Sequence, residues 1–221
     1  MGLNLSFIRT HVPLYVEAAG LTVQIAFWGI LLALGTGIFC AVVRYYRIPV
    51  LAGLVGGYIE LSRNTPLLVQ LFFLYFGLPK AGLLWSAETC AVVGLGFLGG
   101  SYMAESFRSG LEAVEKSQLE AAKSLGMGKL LTMKEVLLPQ ALVTALPGIG
   151  ANVIFLIKET SVVSGIALAD LMYVTKDLIG LYYETEEALL MLVGAYLVIL
   201  LPVSLGASML ERRLRHGGVG N

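Results

Sequence analysis

Charged side chains are scarce in this sequence. Asp, Glu, Lys and Arg make up 14% of its 221 residues, where an average soluble domain has roughly a quarter. With 57% hydrophobic residues and a mean hydropathy of +0.81, the chain cannot clothe its core in a polar shell. An excess of one sign is also missing. Fifteen basic and fifteen acidic residues cancel, which leaves no basic field to hold nucleic acid. Disorder needs low hydrophobicity and high net charge, so it is excluded as well. There are only two cysteines (Cys40, Cys90) and two histidines (His11, His216). The cysteines sit in apolar runs without CxxC spacing and the histidines near the two ends, so no metal site is expected. An all-α, polytopic integral membrane protein remains.

Residues 1–13 hold one arginine and no apolar block long enough for a cleavable leader. The apolar run that follows lacks a small-residue cleavage pattern, so it is expected to stay as the first span. A helix crosses the hydrocarbon in about 20 apolar residues. Residues 18–43 contain no charge and satisfy this directly. The stretch 48–78 is interrupted by Glu60 and Arg63, and suits one long helix bent at Thr65-Pro66 better than two. Spans are further expected at 88–107, whose Gly94, Gly96, Gly99 and Gly100 permit close helix approach, at 139–157 and at 188–210. The count is five, in a single transmembrane domain over 1–221.

Basic residues orient these spans. With the N-terminus outside, Arg44, Arg47, Lys116, Lys123, Lys129, Lys134, Arg212, Arg213 and Arg215 lie inside. Only Arg9, Lys80 and Lys176 lie outside, so the positive-inside bias predicts N-out, C-in. Two stretches fit no simple span. Residues 112–138 form a charged cytoplasmic loop. Residues 161–174 are apolar apart from Asp170 but too short to cross, and read as a re-entrant or buried short helix. Low-complexity segments and internal repeats are not evident.

Within the loop, Ser117 followed by Glu120 reads as a capping box that starts a helix, and Gly126 as its left-handed stop. The helix would have about eight residues and a length of roughly 12 Å. Leu119, Ala122 and Leu125 recur at helical spacing, and Ala121 and Ala122 leave the surface smooth. Such a helix suits either a groove on a soluble partner or the membrane interface.

Glu120-Ala121-Ala122, then Gly126, Val136 and Leu138-Pro139, resemble the EAA loop of bacterial ABC importer permeases. Arg63-Asn64-Thr65-Pro66 through Gln70, Phe76-Gly77-Leu78-Pro79, Ala104-Glu105, Arg108-Ser109-Gly110 and Lys158-Glu159-Thr160-Ser161 are similar to the polar amino acid uptake subfamily. Asn64 and Glu159 depart from its usual Gly and Asp. The resemblance implies that Glu120, Ala121, Ala122, Leu125 and Gly126 couple to a separate ATPase dimer. It also implies a second permease copy or a similar chain, an extracytoplasmic solute-binding protein, and the bacterial cytoplasmic membrane. ATP and Mg would be used by the ATPase partner, and no cofactor by this chain. No G-x-x-x-x-G-K-[ST] loop occurs.

Ionisable groups inside the bilayer cost about 2.5–3.5 kcal/mol each on insertion scales and so require a reason. Glu60 and Arg63, at i, i+3, can pair to lock helices or contact substrate, with Asn64, Thr65 and Gln70 as neutral donors and acceptors. Glu105 and Arg108 repeat this spacing near the cytoplasmic end, and Tyr102 is one turn away. Lys158 and Glu159 point about 100° apart and need other partners or a zwitterionic ligand, with Thr160 and Ser161 beside them. Met103 and Met172 fit core packing or an adaptable passage. The leading function is a polar amino acid importer permease. Alternatives are a permease for another small solute such as methionine, or an ion-coupled carrier, which would predict internal repeats.

Overall fold

A computed structural model describes residues 3–217, with side chains as far as Leu214; Arg215 and His216, placed above by sequence, lie outside the described side chains. The described residues are helical, without a strand. The first helix, α1, is Leu5–Tyr45, and the stretch after it divides into α2 (Leu51–Arg63) and α3 (Leu67–Phe72). A π turn at Phe73–Gly77 and a 3₁₀ turn at Leu78–Ala81 continue α3. Next come α4 (Ala87–Glu112), the short α5 (Lys116–Ser124) and α6 (Lys129–Thr132), and a π turn at Met133–Leu137. The last elements are α7 (Leu138–Glu159), a 3₁₀ segment Thr160–Ile166, α8 (Leu171–Tyr182) and α9 (Thr185–Gly217).

Among the described residues, four helical stretches are long and apolar enough to cross a membrane: Leu5–Tyr45, Ala87–Glu112, Lys129–Ile166 and Thr185–Leu214. The second apolar stretch is not one bent helix, as its sequence suggested, but two helices separated at 64–66. Pro66 is extended (φ −60°, ψ 141°) and offers no N–H, so α2 stops and α3 starts afresh. Polar side chains cover the exposed carbonyls. Gln70 Nε2 donates to Ser62 O at 3.0 Å and Thr65 O at 3.1 Å, and Asn64 Nδ2 donates to Glu60 O at 2.7 Å. The Thr65 hydroxyl donates to Leu61 O.

The bundle is built on a seam of small residues between α1 and α4. Gly29, Ala33 and Gly37, four apart, face Leu95, Gly99 and Met103, also four apart. Both sets advance in the same direction, so the two helices are parallel and the chain returns through α2 and α3 between them. Glycine here serves close approach, as small residues do wherever helices associate in lipid. On the other side α4 meets α7 antiparallel. A Cβ on Gly110 would lie 2.3 Å from Ala141 O, and one on Gly148 2.8 Å from Ser106 Oγ. Met103 is fully buried in this core, which decides its packing role.

At 1.5 Å per residue α1 is about 60 Å long, roughly twice the hydrocarbon thickness. Its first third, which the hydropathy reading left out of the span, is held by polar bonds to the α8–α9 corner. Asn4 caps α1 by accepting from Phe7 N, while its own N–H donates to Glu187 Oε1 at 2.8 Å and its Nδ2 to Glu184 Oε1 at 3.0 Å. The Tyr15 hydroxyl donates to Ala188 O at 2.8 Å and lies 2.9 Å from Thr175 Oγ1. Removing one buried hydrogen bond costs about 1 kcal/mol, so Tyr15→Phe should lower the unfolding midpoint in detergent by roughly 2–4 °C. An unchanged midpoint would show that this corner does not hold α1.

The short helix expected within 161–174 is two pieces. Ala167 takes a left-handed conformation (φ 58°) that ends the 3₁₀ segment, and α8 begins only at Leu171. Asp170, fully buried, caps α8 through Met172 N and Tyr173 N, so its carboxylate serves a helix start.

Candidate functional site

Two interrupted stretches meet in the bundle. The gap between α2 and α3 supplies one, and the change from α7 into the 3₁₀ segment at Thr160 supplies the other. Leu68 of α3 sits where a side chain on Gly165 would go, 2.5 Å from that Cβ position, and Leu67, Leu71, Val163 and Ile166 share the core. Helices that break inside a membrane bundle leave backbone groups and polar side chains free to serve a ligand.

Arg63 and Glu60 do not form the expected pair. The Arg63 guanidinium instead lies over the Tyr102 ring, 5.1 Å from its centroid, and Glu60 Oε2 accepts from Asn64 Nδ2 at 3.1 Å. The quadrupole of the ring attracts the cation, and Tyr102 on α4 lies within reach once α2 ends at Arg63. Tyr102 also meets Phe155 of α7, with ring centroids 5.3 Å apart. Phe155 was missed because a lone aromatic in an apolar span carries no local signal. Lys158 and Glu159 lie three and four residues further along α7, one turn from Phe155. Lys158 is exposed and has no ion pair among the described residues; Glu159 is half-buried.

Other expected contact groups are already engaged. Thr160 is buried and its hydroxyl donates to Ile157 O at 2.7 Å; Ser161 is half-buried, with its carbonyl accepting from Ser164 Oγ. Thr65 and Gln70 line a cavity of about 470 Å³ whose other walls, Leu61, Val69, Phe73 and Phe97 among them, are apolar. Their donors close the helix break, while Gln70 Oε1 is buried without a partner among the described residues.

Glu105 joins α1 to α4 near their C-terminal ends. It accepts from Arg44 at 2.7 Å and from Arg108 at 2.6 Å, and Arg108 reaches Glu112 at 2.7 Å. The i, i+3 spacing showed the Glu105–Arg108 pair, but Arg44, sixty-one residues away, was not legible as its third member.

The second candidate feature is α5. It starts at Lys116 rather than Ser117, with Glu115 as N-cap and no side-chain cap bond. The capping box does not form, because Ser117 lies already inside the helix and its hydroxyl donates back to Glu115 Oε2 at 3.1 Å. The stop at Gly126 is as expected. Its φ is +76°, Met127 N donates to Ala122 O and Gly126 N to Lys123 O, both at 3.0 Å, which together make a Schellman motif. The anticipated apolar face of Leu119, Ala122 and Leu125 is divided. Ala122 is buried and Leu119 packs onto the bundle with Leu111, Val114 and Leu137, while Leu125 is 81% exposed. The reason is competition: the bundle beneath α5 also needs apolar cover, and it takes the inner side. Glu120, Ala121, Leu125 and Gly126 are left facing outward.

Comparison with known proteins identifies the family of the chain. Residues 33–216 match the family model described as binding-protein-dependent transport system inner membrane component. The chain is 37% identical over 177 residues to the probable amino-acid ABC transporter permease protein PatM of Vibrio harveyi, covering 78% of each. It is 31% identical to the probable glutamine ABC transporter permease protein GlnM of Bacillus subtilis, covering 96% of this chain and 98% of that one. A solved amino acid ABC transporter with histidines superposes with a TM-score of 0.88 at 33% identity, covering 96% of this chain and 100% of that chain. The protein is thus a multi-pass membrane transport subunit, and it belongs to the family of binding-protein-dependent transport system inner membrane components.

Proposed function

We propose that this chain is the permease subunit of an ATP-driven importer for polar amino acids in a bacterial cytoplasmic membrane. The relatives named above are amino-acid permeases, and others are named for arginine and nopaline. In this reading the N-terminus is outside and the C-terminus inside. A solute-binding protein delivers substrate to the outer face, and two permease chains, identical or similar, enclose the path. Each α5 docks into an ATPase subunit that uses ATP and Mg, and this chain binds no cofactor.

The carrying observation is the outward face of α5, held rigid by its Schellman stop and supported from below by Leu119 and Ala122. A lever must not bend when pushed, and a helix packed on the bundle on one side and bare on the other meets that need. On the substrate side, Lys158 and the Arg63–Tyr102 pair offer cationic charge to a carboxylate, and Glu159 or Glu60 offers an acceptor to the amine. Asn64, Thr65 and Gln70 at the α2–α3 break, and Thr160 and Ser161 after α7, are the neutral groups of this reading. A zwitterion entering here loses water, and preplaced charges offset the loss.

Gly126→Val tests the coupling role. A β-branched residue resists φ +76°, so α5 loses its stop while the spans are untouched. The variant should insert normally, capture about tenfold less ATPase in pull-downs, and lose ATP-dependent uptake in proteoliposomes. Full capture with normal uptake would refute the assignment.

A further inference from the structure

A groove of about 810 Å³ runs between α1 and α4; it meets the Thr65–Gln70 cavity at Val93 and has no wall residue from α5. Its upper rim carries Gln24, Glu88 and Thr89, and Trp28 stands beside them. Below the rim the walls are Leu31, Leu32 and Val92, and the floor opens at Gly35. From Gln24 to Thr36 is twelve residues, or about 18 Å of helix, close to the roughly 15 Å depth of one leaflet's hydrocarbon. Apart from Thr36 at the far end, the polar groups gather at the rim, and Trp28 stands next to them, as aromatics do at membrane interfaces generally.

We propose that this groove binds a phospholipid with a primary-amine headgroup, phosphatidylethanolamine in its chemistry, with the ammonium on Glu88 and one acyl chain along Leu32 and Gly35. Charge selects the occupant. Glu88 is exposed at the start of α4 and has no ion pair among the described residues, and no lysine or arginine lines the groove. Glu17 is seven residues before Gln24, on the same face of α1, and adds a second carboxylate above the rim. An anionic lipid would meet repulsion here, whereas an ammonium finds a charge-assisted acceptor in Glu88 and neutral ones in Gln24 and Thr89. The fit of apolar walls to an acyl chain is sequence-independent, so headgroup preference is what the carboxylate adds.

Native mass spectrometry of the purified transporter, titrated with phosphatidylethanolamine or phosphatidylglycerol of the same chains, reads this directly. The wild type should retain at least about threefold more of the amine lipid. Glu88→Gln should erase that preference while leaving total lipid binding similar. Gly35→Leu should displace both lipids, and the fold tolerates it because a Cβ there meets nothing within 4 Å. Equal retention of the two lipids by the wild type, or an undiminished preference in Glu88→Gln, overturns the proposal. So does a disulfide between two chains carrying Leu31→Cys in membranes, which would mean that a second copy fills the groove.

Discussion

Lys158→Met should cut amino acid uptake in proteoliposomes by about tenfold to a hundredfold while leaving membrane insertion, ATPase capture and basal hydrolysis intact. The motive is an exposed ammonium at the end of α7, beside a helix break, with no ion pair among the described residues. A hydrogen bond to a charged group is worth roughly 1.5–3 kcal/mol, and 1.4 kcal/mol is a factor of ten. Methionine keeps the stem and its packing but removes the charge. Loss of assembly instead of transport would make Lys158 structural, and normal transport would deny it either role. Glu159→Gln separates the two acidic candidates. A shift away from cationic amino acids in competition assays assigns the amine contact to Glu159, and an unchanged ranking leaves Glu60.

Gly37→Leu should abolish accumulation of folded protein or lower its unfolding midpoint by roughly 6–12 °C, whereas Gly35→Leu, two residues away, should not. At Gly37 the first added carbon would lie 2.4 Å from Met103 Cβ and 3.0 Å from Ala104 N and Met103 C. The last two are backbone atoms that no rotamer change can move. Helices α1 and α4 would have to part, opening contacts at Gly29–Leu95 and Ala33–Gly99 along the same seam. Overpacking alone costs about 1–3 kcal/mol, and backbone separation places this case at or beyond the upper end, about 3 kcal/mol or more. Size-exclusion profile and thermal unfolding in detergent are the measurements. A monodisperse Gly37→Leu protein with the wild-type midpoint would show that the seam is looser than its geometry states.

Membrane residence, the apolar stretches and the stop at Gly126 were legible in the sequence because each follows from residues close along the chain. Hydropathy is a running sum, Pro66 removes a donor wherever it stands, and glycine alone enters the left-handed region without cost. The resemblance of Glu120 to Pro139 to the EAA loop is likewise a local pattern. Tertiary structure decided the rest. Arg63 turned from Glu60 to the Tyr102 ring because α4 brings an aromatic face to the end of α2. The inward turn of Leu119 and Ala122 depends on what lies under α5. Arg44 reached Glu105, and Gly29, Ala33 and Gly37 found Leu95, Gly99 and Met103, because α1 and α4 lie parallel in contact. Local chemistry specifies which segments are apolar and some helix ends, such as the stop at Gly126. Which side chains touch depends on distances between segments far apart in the chain, and those distances exist only once the helices have packed.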